Sequence, residues 1–234
     1  MRIRGILLDK DGTILDYDKT WIPINREAAR FAACGDPRLI DELLAIGGHD
    51  PVTNRIEPGC PLAAGSIDEI ADLFAAHLGH LTPPDLVAGI DRIFCEGGAR
   101  YAVLIDGVHE AVAALHGGGY RLGIATNDTI GGLKASLSRH RGLLELCEFL
   151  AGCDSGFGAK PGPGMVHAFS EQTGLDPREI AIVGDAVPDL EMGRRAGVGL
   201  KVAVLSGTSP REVLAPHADL VVGSVRDLPA ALRR

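Results

Sequence analysis

The spacing of apolar and polar positions changes rhythm twice along the chain. Residues 3–8 are an almost unbroken apolar run that reads as a strand, and it stops at the turn-prone Asp11-Gly12-Thr13. From about residue 16 to 100, helix signals dominate. Asp36 stands before Pro37 as an N-cap followed by a proline at the first helical position. Ser66-Ile67-Asp68-Glu69 forms a capping box ahead of Ile70, Leu73, Phe74 and Leu78. Thr82 and Pro83 predict the start of another helix with Leu86, Ile90 and Ile93 on one face. Residues 47–65, rich in Pro and Gly and holding Asn54 and Arg55, read as a loop.

After Arg100, short apolar runs alternate with helical segments. Strands are predicted at 121–125, 148–151, 180–183, 201–205 and 220–222. Helices are predicted at 108–115 (ended by Gly117-Gly118-Gly119), 130–140, 163–173 and 189–196, and the terminal Leu232-Arg233-Arg234 reads as a helix end. Apolar runs of four or five residues separated by helices point to a parallel sheet covered on both faces. The predicted fold class is therefore α/β: a doubly wound (Rossmann-like) parallel-sheet core, residues 1–15 and 101–234, with an inserted α-helical cap domain, residues 16–100.

Composition narrows the picture. The 234 residues are 46% hydrophobic but only 4% aromatic, so the core has to be built from Ala, Leu, Val and Ile. A net charge of −8 argues against nucleic acid as a partner, although a phosphorylated metabolite remains accessible where a cation and a few donors converge. The five cysteines (Cys34, Cys60, Cys95, Cys147, Cys153) are odd in number and lack C-x-x-C spacing. They read as buried free thiols of a reducing cytoplasm, not as a zinc site or disulfide framework. Asp9 interrupts the first apolar run, so no signal peptide is expected, and no uncharged run approaches the ~20 residues that span a bilayer. A soluble cytoplasmic protein with no membrane partner follows, as monomer or homodimer.

Candidate chemistry gathers at the carboxyl ends of the predicted strands, where open α/β sheets bind ligands. Asp9, Asp11, Gly12 and Thr13 follow the first strand, and Thr126, Asn127 and Asp128 follow the second. Lys160-Pro161 lies in the loop after Ala151, and Gly184, Asp185 and Asp189 follow residues 180–183. So many carboxylates crowd negative charge unless a cation sits among them, and hard oxygen ligands suit Mg²⁺. A threonine hydroxyl and a lysine ammonium complete a set able to hold phosphate oxygens. Each short motif alone is ordinary, since Asp-Gly is a common turn and Lys160-Pro161 by itself would be a solvated loop. Four in order at strand ends outweigh that reading. The histidines are scattered: His77 and His80 have no third ligand at metal-site spacing, and His49 lies in the polar loop. Gly193, Gly197 and Gly199 do not form a dinucleotide fingerprint.

These motifs resemble the haloacid dehalogenase (HAD) superfamily. Asp9-Lys10-Asp11-Gly12-Thr13 matches its D-x-D-G-T, Gly184-Asp185-Ala186-Val187-Pro188-Asp189 its G-D-x-x-x-D, and Thr126-Asn127 and Lys160-Pro161 the motifs between. The segment after the first motif is similar to the helical cap of the phosphoglycolate-phosphatase-like branch. The resemblance implies a Mg²⁺-dependent phosphatase of small phosphomonoesters. Asp9 would be the nucleophile, Asp11 the acid and then the base, Thr126 a ligand of a phosphoryl oxygen, and Lys160 a charge partner of phosphate and Asp9. Asp185 would hold Mg²⁺ together with the Asp9 carboxylate and the Asp11 carbonyl, with Asp189 in support. Asn127 is a further candidate for substrate binding. Ala186 departs from the usual Ser or Thr. Lys10 stands where an apolar residue is commoner, and strand alternation predicts that it points away from its carboxylate neighbours.

Arg55 is the candidate for an anionic substrate group, and Trp21 is expected to serve packing. Within the superfamily a phosphomutase is the main alternative. Phosphonate hydrolysis ranks lower because the stretch from Thr20 to Arg100 has no lysine to form a Schiff base, which leaves Lys19 alone to serve. A receiver-like signalling module also gathers Asp, Thr and Lys at strand ends, but it would be about half this length and lack the insertion.

Overall fold

Residues 2–232 are described in a computed structural model, without the side chains of Ala64 and His80; Arg233 and Arg234, read above as part of a helix end, lie outside them. The chain enters β1 (Gly5–Leu8) and leaves it for α1 (Tyr17–Ala32), α2 (Pro37–Ile46), β2 (His49–Asp50), β3 (Arg55–Ile56), α3 (Pro61–Ala64), α4 (Ile67–Leu78) and α5 (Leu86–Tyr101). It then alternates through α6 (Val108–Gly117), β4 (Arg121–Ala125), α7 (Ile130–Ser136), α8 (Arg141–Glu145), β5 (Phe149–Ala151) and α9 (Gly164–Thr173). The last elements are β6 (Ile180–Gly184), α10 (Val187–Ala196), β7 (Leu200–Val204), α11 (Arg211–Leu214), β8 (Leu220–Val222) and α12 (Leu228–Ala231). Two compact units result: one runs to Asp16 and resumes at Val103, and the other is Tyr17–Ala102.

The first unit carries a six-stranded sheet in the order β5-β4-β1-β6-β7-β8, with every pair parallel. The chain steps outward from β1 to β4 and β5, then returns to the other side of β1 for β6. That reversal makes the carboxyl end of β1 a topological switch point, the place where such sheets bind ligands. Leu8 pairs with Ile124 on one side and Val183 on the other, so the polar residues beyond these strands emerge side by side. Leu7 and Ile182 pack with Met165, Val166 and Phe169 of α9. Ile6, Leu8 and Ile124, which alternate to the opposite face, are equally inaccessible. Burial of both faces explains why these strands are continuous apolar runs, as expected for the predicted fold class.

The second unit is helical. Buried positions of α1 fall at Tyr17, Thr20, Trp21, Ile24, Asn25, Ala28, Ala29 and Ala32, a single stripe. α5 meets that stripe closely because Gly97 lacks a side chain: a Cβ there would lie 2.8 Å from Ile24. Trp21 is a packing residue, stacked on Tyr17 and edge-on to Phe94 at 5.1 Å between ring centroids. At α4 the capping box is formed on both sides. Ser66 Oγ accepts from the Glu69 N–H at 3.2 Å, and Glu69 Oε2 accepts from the Ser66 N–H at 2.7 Å. Ser66→Ala leaves one of these donors without its partner, so it is expected to cost about 1 kcal/mol, read as a lower urea midpoint at unchanged slope.

Several elements differ from the sequence expectation. Helix α5 starts at Leu86 and not at Thr82, because consecutive prolines disfavour helical geometry in the residues preceding them. Thr82 Oγ1 instead donates to Gly79 O at 2.8 Å and closes the preceding turn. The helix predicted over 130–140 ends at Ser136, before the weak helix former Ser138, and α8 is a separate short helix beyond it. The predicted loop 47–65 contains the β2–β3 hairpin, with Asn54 in the left-handed region at φ 52°. All five cysteines are free, but only Cys147 is buried; Cys34 is exposed in the turn after α1. Burial pushes the Cys147 thiol up to about 12. No helix among the described residues is long and apolar enough to cross a membrane.

Candidate active site

The site grows from the loop after β1. Asp9 N–H donates to Val183 O at 2.8 Å, which fixes the aspartate against the neighbouring strand β6. The chain then curls tightly: the N–H groups of Ile14 and Leu15 both donate to Lys10 O, at 2.8 and 2.9 Å. Gly12 makes this possible with φ +80°, and a Cβ there would sit 2.5 Å from Asp185 Oδ2. Asp185 leaves the end of β6 and is held from a third direction, where its Oδ2 accepts from the Thr208 N–H at 3.0 Å. Ser206 Oγ donates to Gly12 O at 2.8 Å, so the loop after β7 ties the other two together.

Lys160 arrives from the loop after β5, its side chain only 3% exposed. Its Nζ donates to Asp9 Oδ1 at 2.5 Å and to Asp189 Oδ1 at 2.7 Å. Asn127, beyond β4, holds the lysine backbone at both ends: it accepts from Lys160 N–H at 2.8 Å and donates to Lys160 O at 3.3 Å. Thr126 is buried, with its Oγ1 accepting from the Asp128 N–H at 3.1 Å. Asp189 Oδ2 accepts from the Ala186 N–H at 3.1 Å and so caps the start of α10.

Asp9, Asp185 and Asp189 each offer a carboxylate oxygen within 4.8 Å of the others. Burial raises the Asp9 carboxyl to about 6, with Lys160 opposing the shift and Asp189 adding to it. Burial, reinforced by Asp9 and Asp189, also pushes Asp185 well above the usual carboxylate range. Burial would lower the Lys160 ammonium, but the Asp189 and Asp9 carboxylates outweigh it and hold its proton more firmly than usual. One lysine thus faces three clustered carboxylates. The donor set is all oxygen, is under-compensated in charge, and fits a hard divalent cation.

Asp9, Lys160, Asp185 and Asp189 are therefore brought into direct contact or ligand distance of one another, and Asn127 acts on Lys160. Arg55 belongs to the helical unit, exposed, with Nε 3.3 Å from Asp18 Oδ2. His49 is buried there against Asn54 Oδ1 at 3.1 Å. The expectation that Lys10 points away from its carboxylate neighbours is corrected. Its Nζ lies 2.9 Å from Asp11 Oδ2 and 2.7 Å from Asp128 Oδ2, fully buried. β1 ends at Leu8 and the chain bends at Lys10, so strand alternation no longer governs the direction of its side chain. The sequence reading also passed over Ser206 and Thr208. Their signal is the polar Ser206-Gly207-Thr208 following an apolar run at the same edge of the sheet.

The haloacid dehalogenase-like hydrolase family model matches residues 3–197, most of the chain. The chain belongs to the haloacid dehalogenase-like hydrolases. It is an enzyme of that family's phosphatase type, with the family's Asp-x-Asp pair, Asp9 and Asp11, after β1. The plasmid-encoded phosphoglycolate phosphatase of Cupriavidus necator is 29% identical over 230 residues, covering 97% of this chain and 92% of that one. The N-acetylmuramic acid 6-phosphate phosphatase of Pseudomonas aeruginosa is 26% identical over 242 residues, covering 100% and 96%. Among solved structures, a protein described as a predicted phosphoglycolate phosphatase from Haemophilus somnus superposes with a TM-score of 0.75 at 18% identity. The match covers 99% of this chain and 98% of that one, a likeness of fold.

Proposed function

We propose that the protein hydrolyses a small-molecule phosphomonoester, phosphoglycolate-like or sugar-phosphate-like, with Mg²⁺ as cofactor and an aspartyl-phosphate on Asp9. The observation that carries this reading is the buried Asp9 carboxylate held 2.5 Å from Lys160 inside the carboxylate cluster. A carboxylate so fixed is aimed and cannot swing away, which is what nucleophilic displacement at phosphorus requires.

In the first step Asp9 attacks phosphorus, the bond to the leaving oxygen breaks, and Asp11 gives that oxygen a proton. In the second, Asp11 takes a proton from water as the water attacks phosphorus; the Asp9–phosphate bond breaks, releasing phosphate and restoring both aspartates. The Thr126 hydroxyl holds a phosphoryl oxygen and the Lys160 ammonium offsets its charge. Asn127 contributes by locking the Lys160 backbone, and Arg55 is assigned to an anionic group of the substrate. Mg²⁺ would be held by Asp9, Asp185 and the Asp11 carbonyl, with Asp189 in support. When bound it supplies positive charge to the phosphoryl oxygens. The reading includes a cytoplasmic protein, monomer or homodimer, without nucleic-acid or membrane partners; the net charge of −8 supports the exclusion of nucleic acid.

The test is phosphate release from a panel of phosphomonoesters. Chelation with EDTA is expected to lower release at least about 100-fold, with activity returning on addition of excess Mg²⁺. Release that persists in EDTA would sink the metal assignment. Interconversion of a sugar phosphate without release of phosphate would turn the reading to a mutase.

A further inference from the structure

We infer that Lys10 is a positioning residue that fixes the direction of the Asp11 carboxylate by tethering it to Asp128 on the neighbouring loop. The inference rests on the proposed role of Asp11 as the proton donor to the leaving group. Lys10 is fully buried, and its ammonium bridges Asp11 Oδ2 at 2.9 Å and Asp128 Oδ2 at 2.7 Å. Burying an ammonium is costly unless carboxylates meet it, and an apolar side chain would fill the same space without that cost. What the lysine adds is a link between two loops.

Both ends of the link are held. The Lys10 carbonyl accepts from the Ile14 and Leu15 N–H groups, which pins the lysine backbone. On the far side, Asp128 Oδ1 accepts from the Thr129 N–H at 2.7 Å, the Asp128 N–H donates to Thr126 Oγ1, and the Cys153 N–H donates to Asp128 O at 3.0 Å. Space around Asp128 is also closed, since a Cβ at Gly132 would come within 2.3 Å of its Oδ1. Asp11 has a side chain 18% exposed, and Lys10 meets it from the buried side. Through Lys10 it is referred to the rigid loop after β4, the same loop that carries Thr126. The acid and the phosphoryl-oxygen ligand then share one frame.

An acid matters most when the leaving group is poor, so the test compares kcat/KM for phenyl phosphate and p-nitrophenyl phosphate, two esters of similar shape. Asp11→Asn and Lys10→Met are measured side by side with the wild type, in Mg²⁺. Lys10→Met is expected to lose at least about tenfold more on phenyl phosphate than on p-nitrophenyl phosphate, a fraction of the ~10²–10⁴ that a positioned acid contributes. Equal losses on both esters, with Asp11→Asn selective, would overturn the role of Lys10 and leave that of Asp11 standing. Equal losses for Asp11→Asn would remove the acid assignment, and the inference with it. Should Lys10→Met fail to fold, as judged by circular dichroism, Asp128→Asn cuts the tether while keeping the Lys10–Asp11 pair. It is expected to show the same selectivity at smaller size, and equal losses there overturn the proposal.

Discussion

Asp9→Asn is expected to lower kcat/KM for any phosphomonoester the protein hydrolyses by at least about 10⁴-fold, the scale seen when a covalent nucleophile is removed. The amide is nearly the same size, the backbone bond to Val183 is unaffected, and the side-chain oxygen still accepts from Lys160. Nucleophilicity is lost, together with one negative charge of the cluster that faces Lys160 and would hold Mg²⁺. A radiolabelled phosphomonoester quenched in acid should leave label on the wild-type protein and none on the variant; label on both would place the nucleophile elsewhere.

The same variant carries a second, independent expectation. Burial lifts the Asp9 carboxyl from an ordinary 3.8 to about 6, so between those values the metal-free folded state binds more protons than the unfolded chain. Stability contributed at this residue therefore falls as pH rises through that window, the opposite of a salt-bridged carboxylate whose value is depressed. Asp9→Asn should make this fall shallower in the metal-free protein, where the buried Asp185 still contributes one of the same sign, with urea midpoints measured across pH 4 to 6 as the readout.

Lys160→Met is expected to damage stability and activity together. Without the ammonium, Asp9, Asp185 and Asp189 remain clustered and buried with no lysine among them, and breaking such a buried pair typically costs about 3–5 kcal/mol. Added Mg²⁺ should therefore raise the thermal midpoint of the variant more than that of the wild type, because the ion replaces part of the missing charge. Activity is not expected to return with it, since an ion cannot restore the position of a donor on the phosphoryl oxygens. Equal thermal responses of the two proteins to Mg²⁺ would show that Lys160 does not hold the cluster together.

The parts of the fold legible in the sequence are those that burial writes into composition. β4 and β8 occupy the residues their apolar runs predict, and the caps of α2 and α4 form with the side chains that announce them. The β2–β3 hairpin was invisible because strands of two residues are too short to show alternation. Within the site, Asp9, Lys160 and Asp185 were legible because each is a charged side chain at the end of an apolar strand or in the loop beyond one, and Asp189 because it stands in the first turn of the helix after β6. Thr208 was not, because its contact with Asp185 is made by a backbone N–H that any residue would supply. The bridge from Lys10 to Asp128 was hidden for a different reason. Its direction is set by a bend that closes through hydrogen bonds four and five residues ahead.

The two places where the main chain departs from and rejoins the sheet-bearing unit lie against each other. Leu15 pairs with Leu104, the Asp16 N–H donates to Val103 O at 2.9 Å, and the Ile105 N–H donates to Ile14 O at 3.0 Å. A segment whose ends are already zipped together is, to its host, a single long loop, and lengthening such a loop adds little closure entropy. Evolution can therefore exchange everything between those ends while the carboxylates beyond β1 and β6 stay where they were. For the same reason the zipped junction is a natural splice point at which a designer could graft a foreign helical segment.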